Sequence, residues 1–259
     1  MKSKGASLMK YSFWIKTTLF FLVSSVTLFA IGFLFGAFGR EDGQDHSLFP
    51  VFAGSGAKYT TVIIDAGHGG EDGGASSLAG LVEKDVNLSI ALYLRDMLFE
   101  KGIKVVMTRE DDRLLYDRNT DYEGRKKKLD LAARRAIADS TENAIFISIH
   151  MNSFTDPRYS GLQVWYSQNN SDSALLAERI RSENQAKLQS DNKRVTKAAT
   201  SNINLLHNAK CPAVLVECGF LSNVEEAELF ETEEYRKRVA SAIASAAESF
   251  LNSANNGGV

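Results

Sequence analysis

From residue 58 onward, short apolar runs alternate with amphipathic segments. Apolar runs bounded by turn residues predict strands buried on both faces, while apolar positions three or four apart predict helices. TTVIID (60–65), IKVVMT (103–108), AIFISIH (144–150), GLQVWYS (161–167) and AVLVE (213–217) read as strands. DVNLSIALYLRDMLFEK (85–101) places Val86, Ile90, Leu94 and Met97 on one helical face, with Gly102 as its stop. Further helices are expected near 123–139, at 172–189 with Ser171 as cap, and after LSN, where Ser222 and Glu225 have capping-box spacing. A last helix covers 233–252, and 254–259 read as a disordered tail. Residues 190–210 have no clean period. Strands alternating with helices imply a single α/β domain over 58–253, a mostly parallel twisted sheet flanked by helices on both faces.

The N-terminus follows a different pattern. Residues 17–39 form an uncharged run of 23, preceded by Lys2, Lys4, Lys10 and Lys16 and followed by Arg40, Glu41, Asp42 and Asp45. At ~1.5 Å per residue the run spans a ~30 Å hydrocarbon core. The charge asymmetry predicts a cytoplasmic N-terminus and an exported remainder. Residues 1–40 are thus expected to form a signal or anchor transmembrane segment, and 41–57 a polar, Gly-rich linker. The run is longer than a signal-peptide core and lacks a clean A-x-A site, which favours an uncleaved membrane anchor; cleavage would make the protein secreted.

Charge sharpens this division. The net charge of −2 combines +5 in residues 1–40 with 25 basic and 32 acidic residues afterwards. An acidic exported domain is not a nucleic-acid binder, and at 259 residues the chain is no disulfide-stapled miniature. Cys211 and Cys218 flank PAVLVE, a strand that would hold their Cα atoms ~23 Å apart, too far for a bridge. They read as free thiols.

The unusual residues fall at one edge of the expected sheet. His68 lies just beyond the first strand in DAGHGGEDGGA, His150 ends AIFISIH and Glu217 ends AVLVE. Glu83, in LVEKD, precedes the first helix and returns to the same edge. Open α/β sheets hold ligands outside the carboxyl ends of their strands. Imidazole and carboxylate suit Zn²⁺, and three protein ligands leave a position for water. Other readings stand beside this one. A lone His is commonly a loop residue, Glu83 suits a helix N-terminus, and the glycines around His68 could cradle phosphate. A carboxylate in an otherwise apolar strand, as at Glu217, needs a partner or a task.

IIDAGHGGEDGGA, EKDVNL, FISIHMNS and PAVLVECGFLSN, in this order and spacing, resemble the zinc-dependent N-acetylmuramoyl-L-alanine amidases of the Amidase_3 type. The resemblance extends from residue 60 to about 250. It implies that His68, Glu83 and His150 bind Zn²⁺ and that Glu217 is catalytic. The implied reaction is hydrolysis of the amide between the lactyl group of N-acetylmuramic acid and L-alanine in peptidoglycan. Asp139 stands where family members often carry Asn and reads as a helix-end residue. A zinc peptidase acting on the stem peptide, or a catalytically silent wall-binding module, are the alternatives.

Asp65 and Asp72 bracket the His68 loop and are candidates to orient ligands; Asn152 suits either substrate contact or a turn. His46, in the linker, and His207 read as non-ligands. Arg125–Lys128 (RKKK) is the densest basic run outside the N-terminal segment, either a solvated helix face or a contact for anionic wall polymers. This run, the N-terminal hydrophobic segment and the lack of wall-binding repeats resemble the sporulation and germination-specific members of the family. The expected partners are peptidoglycan and the membrane. The sequence identifies no protein activator.

Overall fold

The computed structural model describes residues 57–116 and 124–257. The expected transmembrane run, the linker up to residue 56 and His46 lie outside them. Among the described residues no helix is long and apolar enough to cross a membrane.

The elements are β1 (Thr61–Ala66), α1 (Glu83–Glu100), β2 (Lys104–Met107), α2 (Lys126–Ser140), β3 (Ala144–Asn152), β4 (Gln163–Tyr166), α3 (Asp172–Lys187), β5 (Lys197–Ala198), α4 (Asn204–His207), β6 (Ala213–Phe220), α5 (Val224–Glu231) and α6 (Glu233–Asn255). They form one six-stranded sheet in the order β2-β1-β3-β6-β4-β5. The strands β2, β1, β3 and β6 run parallel, as expected, but β4 pairs antiparallel with β6. The sheet is therefore mixed. The two-residue β5 and the single-turn α4 account for part of the aperiodic stretch 190–210; both are too short to leave a period.

Side-chain alternation divides the core between two unlike faces. Val62, Ile64, Ile145, Ile147, Ile149, Val214 and Val216 form one face with the buried sides of α1, α3 and α6. Ile63, Phe146, Ala213 and Leu215 form the other, with Ala138 of α2 and Leu205 and Leu206 of α4. This second face has much the smaller apolar cluster. Asp65, Ser148, His150 and Glu217 continue the same parity along β1, β3 and β6, so the polar residues emerge on the lightly covered face.

Several boundaries differ from expectation for local reasons. Glu83 is the first residue of α1, not its forerunner. Leu98, rather than Met97, completes the fully buried stripe of that helix. Gly102 does stop it, with φ of 72°. Ser171 makes no capping bond; the Asn170 side chain accepts from the Asp172 N–H instead. Ser222 is drawn away to accept from the Phe154 N–H, and Asn223 caps α5 by accepting from the Glu226 N–H. The last helix runs on to Asn255, whose side chain both accepts from the Tyr59 N–H and donates to the Tyr59 carbonyl. The expected tail is thus helical in its first two residues. Both cysteines are free, Cys218 buried and Cys211 partly so.

Candidate metal centre

The chain runs from β1 to β2 on one side of the sheet and then returns to β3 on the other side of β1. That reversal leaves a crevice outside the carboxyl ends of β1 and β3. His68 enters it two residues after β1, Glu83 from the first turn of α1, and His150 from β3. One donor atom from each of the three lies within 4.8 Å of the others. The Oε1 atom of Glu83 is 3.0 Å from Nδ1 of His150 and 3.2 Å from Nε2 of His68.

Glu83 is buried and fixed at both oxygens. The Ala75 N–H donates to Oε2 and the Met151 N–H to Oε1. Burial pushes its carboxyl up, but hydrogen bonds and charge from His150 and His68 win and hold it far below the usual range. Burial lowers the basicity of His68, and the carboxylates of Glu83 and Asp72 more than restore it. Two imidazole nitrogens and a carboxylate aimed at one point are a cation's coordination set. The two separations from Glu83, 3.0 and 3.2 Å, also compare with the ~3.3 Å ligand edges of tetrahedral zinc. The residues therefore fit a divalent metal. Asp72 Oδ2 lies 2.9 Å from Nδ1 of His68, beside the ring nitrogen that Glu83 does not use, though it is not aligned as a hydrogen bond.

Close packing fixes the two rings. A Cβ added to Gly67 would sit 2.2 Å from Nε2 of His150, and one on Gly74 would sit 2.5 Å from Oε2 of Glu83. Gly74 also has φ of 68°, and His68 itself is left-handed with φ of 61°. That conformation is uncommon outside glycine and is held by what surrounds it.

Two buried arginines supply the restraint. Arg134 of α2 donates from Nη2 to the His68 carbonyl (2.7 Å) and from Nη1 to the Ala66 carbonyl (2.7 Å). Arg109 donates from Nη2 to the Gly67 carbonyl (2.9 Å) and from Nε to the Ala66 carbonyl (2.8 Å). Asn87 adds a donor to Gly67 and approaches Glu83. Asp65 and Asp130 balance Arg134, each at 2.7 Å. Burial alone would make that guanidinium less basic, but these two carboxylates hold it above its ordinary value. Thr108 and Ser148 complete the shell of Asp65. Of the two acids bracketing the loop, Asp72 touches a candidate ligand directly. Asp65 acts through Arg134.

Glu217 lies beside His150 in the β3–β6 register and lines, with His68, His150 and Arg134, a cavity of about 250 Å³. Its Oε2 is buried without a hydrogen-bond partner. Burial, with the Glu83 carboxylate adding to it, pushes its carboxyl up to about 8, against the opposing charge of His68. A buried acid of this kind, unsatisfied and facing a cavity, is suited to proton transfer.

The remaining candidates are separate from this cluster. Asn152 is used locally, its Oδ1 accepting from the Ser153 N–H. His207 is exposed at the end of α4. Asp139 lies 3.4 Å from Arg135 and 3.7 Å from Lys210 near the end of α2, consistent with a helix-end role. Arg109, Arg134, Asp130 and Asn87 were not marked by the sequence pattern, because nothing local distinguishes an arginine that will be buried from one that will not.

Residues 62–249 match the family model described as N-acetylmuramoyl-L-alanine amidase. The chain is 37% identical over 182 residues to the germination-specific N-acetylmuramoyl-L-alanine amidase of Bacillus subtilis, covering 70% of this chain and 76% of that one. Among solved structures it resembles the CwlD amidase from Clostridioides difficile in complex with the GerS lipoprotein. The TM-score is 0.71 at 37% identity, covering 74% of this chain and 98% of that one. It also resembles amidase AmiC2 of Nostoc punctiforme, with a TM-score of 0.63 at 31% identity, covering 76% and 99%.

Proposed function

The chain belongs to the Amidase_3 family of N-acetylmuramoyl-L-alanine amidases, which are generally zinc-dependent, and from that premise we propose that His68, Glu83 and His150 hold Zn²⁺ beside Glu217 as the proton-transfer group. The activity is hydrolysis of the amide joining the lactyl group of N-acetylmuramic acid to L-alanine in peptidoglycan. The observation carrying the residue assignment is the convergence of three donor atoms within 4.8 Å, lining one cavity with the unsatisfied carboxylate of Glu217.

A bound zinc ion supplies Lewis-acid polarisation of the amide carbonyl and makes a water acidic near neutral pH. The chain does the rest. Glu83 and the two histidines arrive already positioned, because Gly67 and Gly74 let their side chains close together and Arg134 and Arg109 hold the loop carbonyls. Glu217 takes a proton from the attacking water and delivers it to the departing amine nitrogen of L-alanine. Water adds across the amide, leaving a lactyl carboxylate and a free peptide amine.

The similarity to the germination-specific relative supports a place in spore-cortex peptidoglycan. Residues 17–39 serve as the anchor that keeps the domain facing the wall. The test is mass spectrometry of peptidoglycan digested with the full chain. The expected products are lactyl groups without peptide and peptides beginning at L-alanine. Products that keep L-alanine on muramic acid would identify a stem-peptide peptidase instead. Faster release from isolated cortex than from vegetative wall is expected of the cortex role, and equal rates would refute it.

A further inference from the structure

The basic run RKKK divides once folded. Lys126 is committed, its Nζ lying 2.6 Å from Glu71. Lys127 and Lys128 are exposed and make no close ion pair among the described residues, although the Lys127 charge is felt by Asp72 across the cavity. Lys127 lines the 250 Å³ cavity that contains His68, His150 and Glu217. It also lines a second, larger cavity of about 740 Å³ along α2 beside Asn204 of α4, together with Lys128 and Arg135. Leu131 and Asn204 are likewise shared, so the two cavities adjoin and together follow α2 and the start of α4 away from the site.

Helical spacing explains the shape of this cleft. Residues 127, 131, 135 and 139 lie one turn apart along one side of α2, with 128, 132 and 136 beside them. From Lys127 to Asp139 the helix rises ~18 Å. An extended peptide advances ~3.3–3.6 Å per residue, so about five residues would fit along it. The lining residues provide an apolar strip of Leu131, Ala132 and Ala136 between cations. The one carboxylate lining the outer cavity, Asp139, is already close to Arg135 and Lys210. The outer cavity is therefore net positive although the chain after residue 40 is net acidic; the carboxylates Asp65, Asp72, Asp130 and Glu217 line the inner one.

The substrate's own charge asymmetry selects what enters. On the glycan side of the scissile amide the groups are hydroxyls and acetamides, all neutral. On the peptide side there are free carboxylates, at minimum the one at the peptide's end. We propose that the α2–α4 cleft receives the acidic peptide on the leaving-amine side of the bond, with Lys127 pairing with a peptide carboxylate. This rests on the assignment of the reacting atoms to the His68, Glu83, His150 and Glu217 site. Lys127 is in this scheme a specificity residue, set apart from the metal-binding and proton-transfer groups.

The test compares two synthetic muramoyl-peptides, one with free carboxylates and one with every carboxylate converted to carboxamide. The full chain and its Lys127→Gln, Lys127→Arg and Lys128→Gln variants are each assayed on both. The wild type is expected to favour the carboxylate compound in kcat/KM on the order of fivefold, the size of one partly exposed ion pair. Lys127→Gln should abolish that preference by raising KM for the carboxylate compound alone, and Lys127→Arg should restore it. Lys128→Gln should weaken the preference. Zinc content and melting temperature should be unchanged throughout, a pattern that loss of structure would not produce. Equal cleavage of both compounds by the wild type overturns the proposal, as does a preference that survives Lys127→Gln. A loss confined to whole cell wall, with both small compounds cut equally, assigns the cations to an anionic wall polymer and also overturns it. Failure of the wild type to cut either compound at the lactyl amide defeats the underlying site assignment, and the cleft proposal with it.

Discussion

Arg134 donates to the backbone carbonyl of His68 at 2.7 Å from a side chain that is only 2% exposed, and His68 is held there in a left-handed conformation. The candidate metal-binding histidine is thus positioned by a charge buried beneath the loop. Replacing Arg134 with Met should leave Asp65 and Asp130 buried without their cation. A destabilisation of about 3–5 kcal/mol is expected, read by urea unfolding of the zinc-free protein. Zinc affinity, measured by chelator competition at a temperature where the variant is still folded, should fall as well. A variant that keeps wild-type zinc affinity would show that the loop holds His68 without Arg134.

Gly67→Ala is a one-methyl change that reaches the proposed metal ligands. The new methyl would meet the His150 ring at 2.2 Å, so the ring must move. Zinc affinity is expected to fall by at least tenfold, the scale of a perturbed ligand shell. Circular dichroism should show the helices and sheet intact. Tight zinc binding in this variant would place His150 outside the coordination set.

Glu217→Gln separates metal binding from proton transfer. Amide hydrolysis should drop by about 10²–10⁴-fold, the usual contribution of a general acid–base group. Zinc stoichiometry, measured by atomic emission, should remain that of the wild type. By contrast, His68→Ala should lose both zinc and activity.

The same carboxylate gives a pH signature in the zinc-free protein. Burial raises Glu217 from its ordinary 4.5 to about 8, so the folded state holds a proton that the unfolded state releases. Stability relative to Glu217→Gln should therefore fall as pH rises from about 4.5 to about 8 and level off above that range. Chemical denaturation across this range measures the difference. A flat difference would show that Glu217 is not desolvated in the free protein.

Asp65 works in the opposite direction. Burial pushes it up, but the Arg134 charge and the Ser148 hydroxyl outweigh that and hold it below its ordinary value. Its contribution is present above the unfolded pKa and is lost as pH falls through the folded one. Asp65→Asn should flatten the acid limb of the stability curve, as followed by denaturation below pH 4.

Much of the site was legible in the sequence because strand ends are local. His68, His150 and Glu217 follow or occupy apolar runs whose direction and carboxyl ends can be read from the chain. Glu83 was placed at the same edge by the helix it precedes, although it proves to be the helix's first residue. What was not legible depends on partners far away in the chain. The helix α2 buries Asp130 and Arg134 one turn apart, a polar inner face that apolar periodicity cannot register. The antiparallel direction of β4 is likewise set by its pairing with β6 rather than by its own four residues.

The sequence by itself determined the α/β alternation, the edge of the sheet where His68, Glu83, His150 and Glu217 fall, and these four as the candidate site residues. These follow from the repeat of side chains along a strand or helix and from residue types that only certain chemistry requires. The tertiary structure alone decided that those residues emerge on the face covered lightly by α2 and α4. It also decided that two arginines hold the His68 loop from beneath, and that two lysines of a four-residue run face a cleft while a third is tied to Glu71. Each of these depends on which surfaces meet across the fold, and burial and ion pairing are set by that meeting rather than by neighbours in the chain.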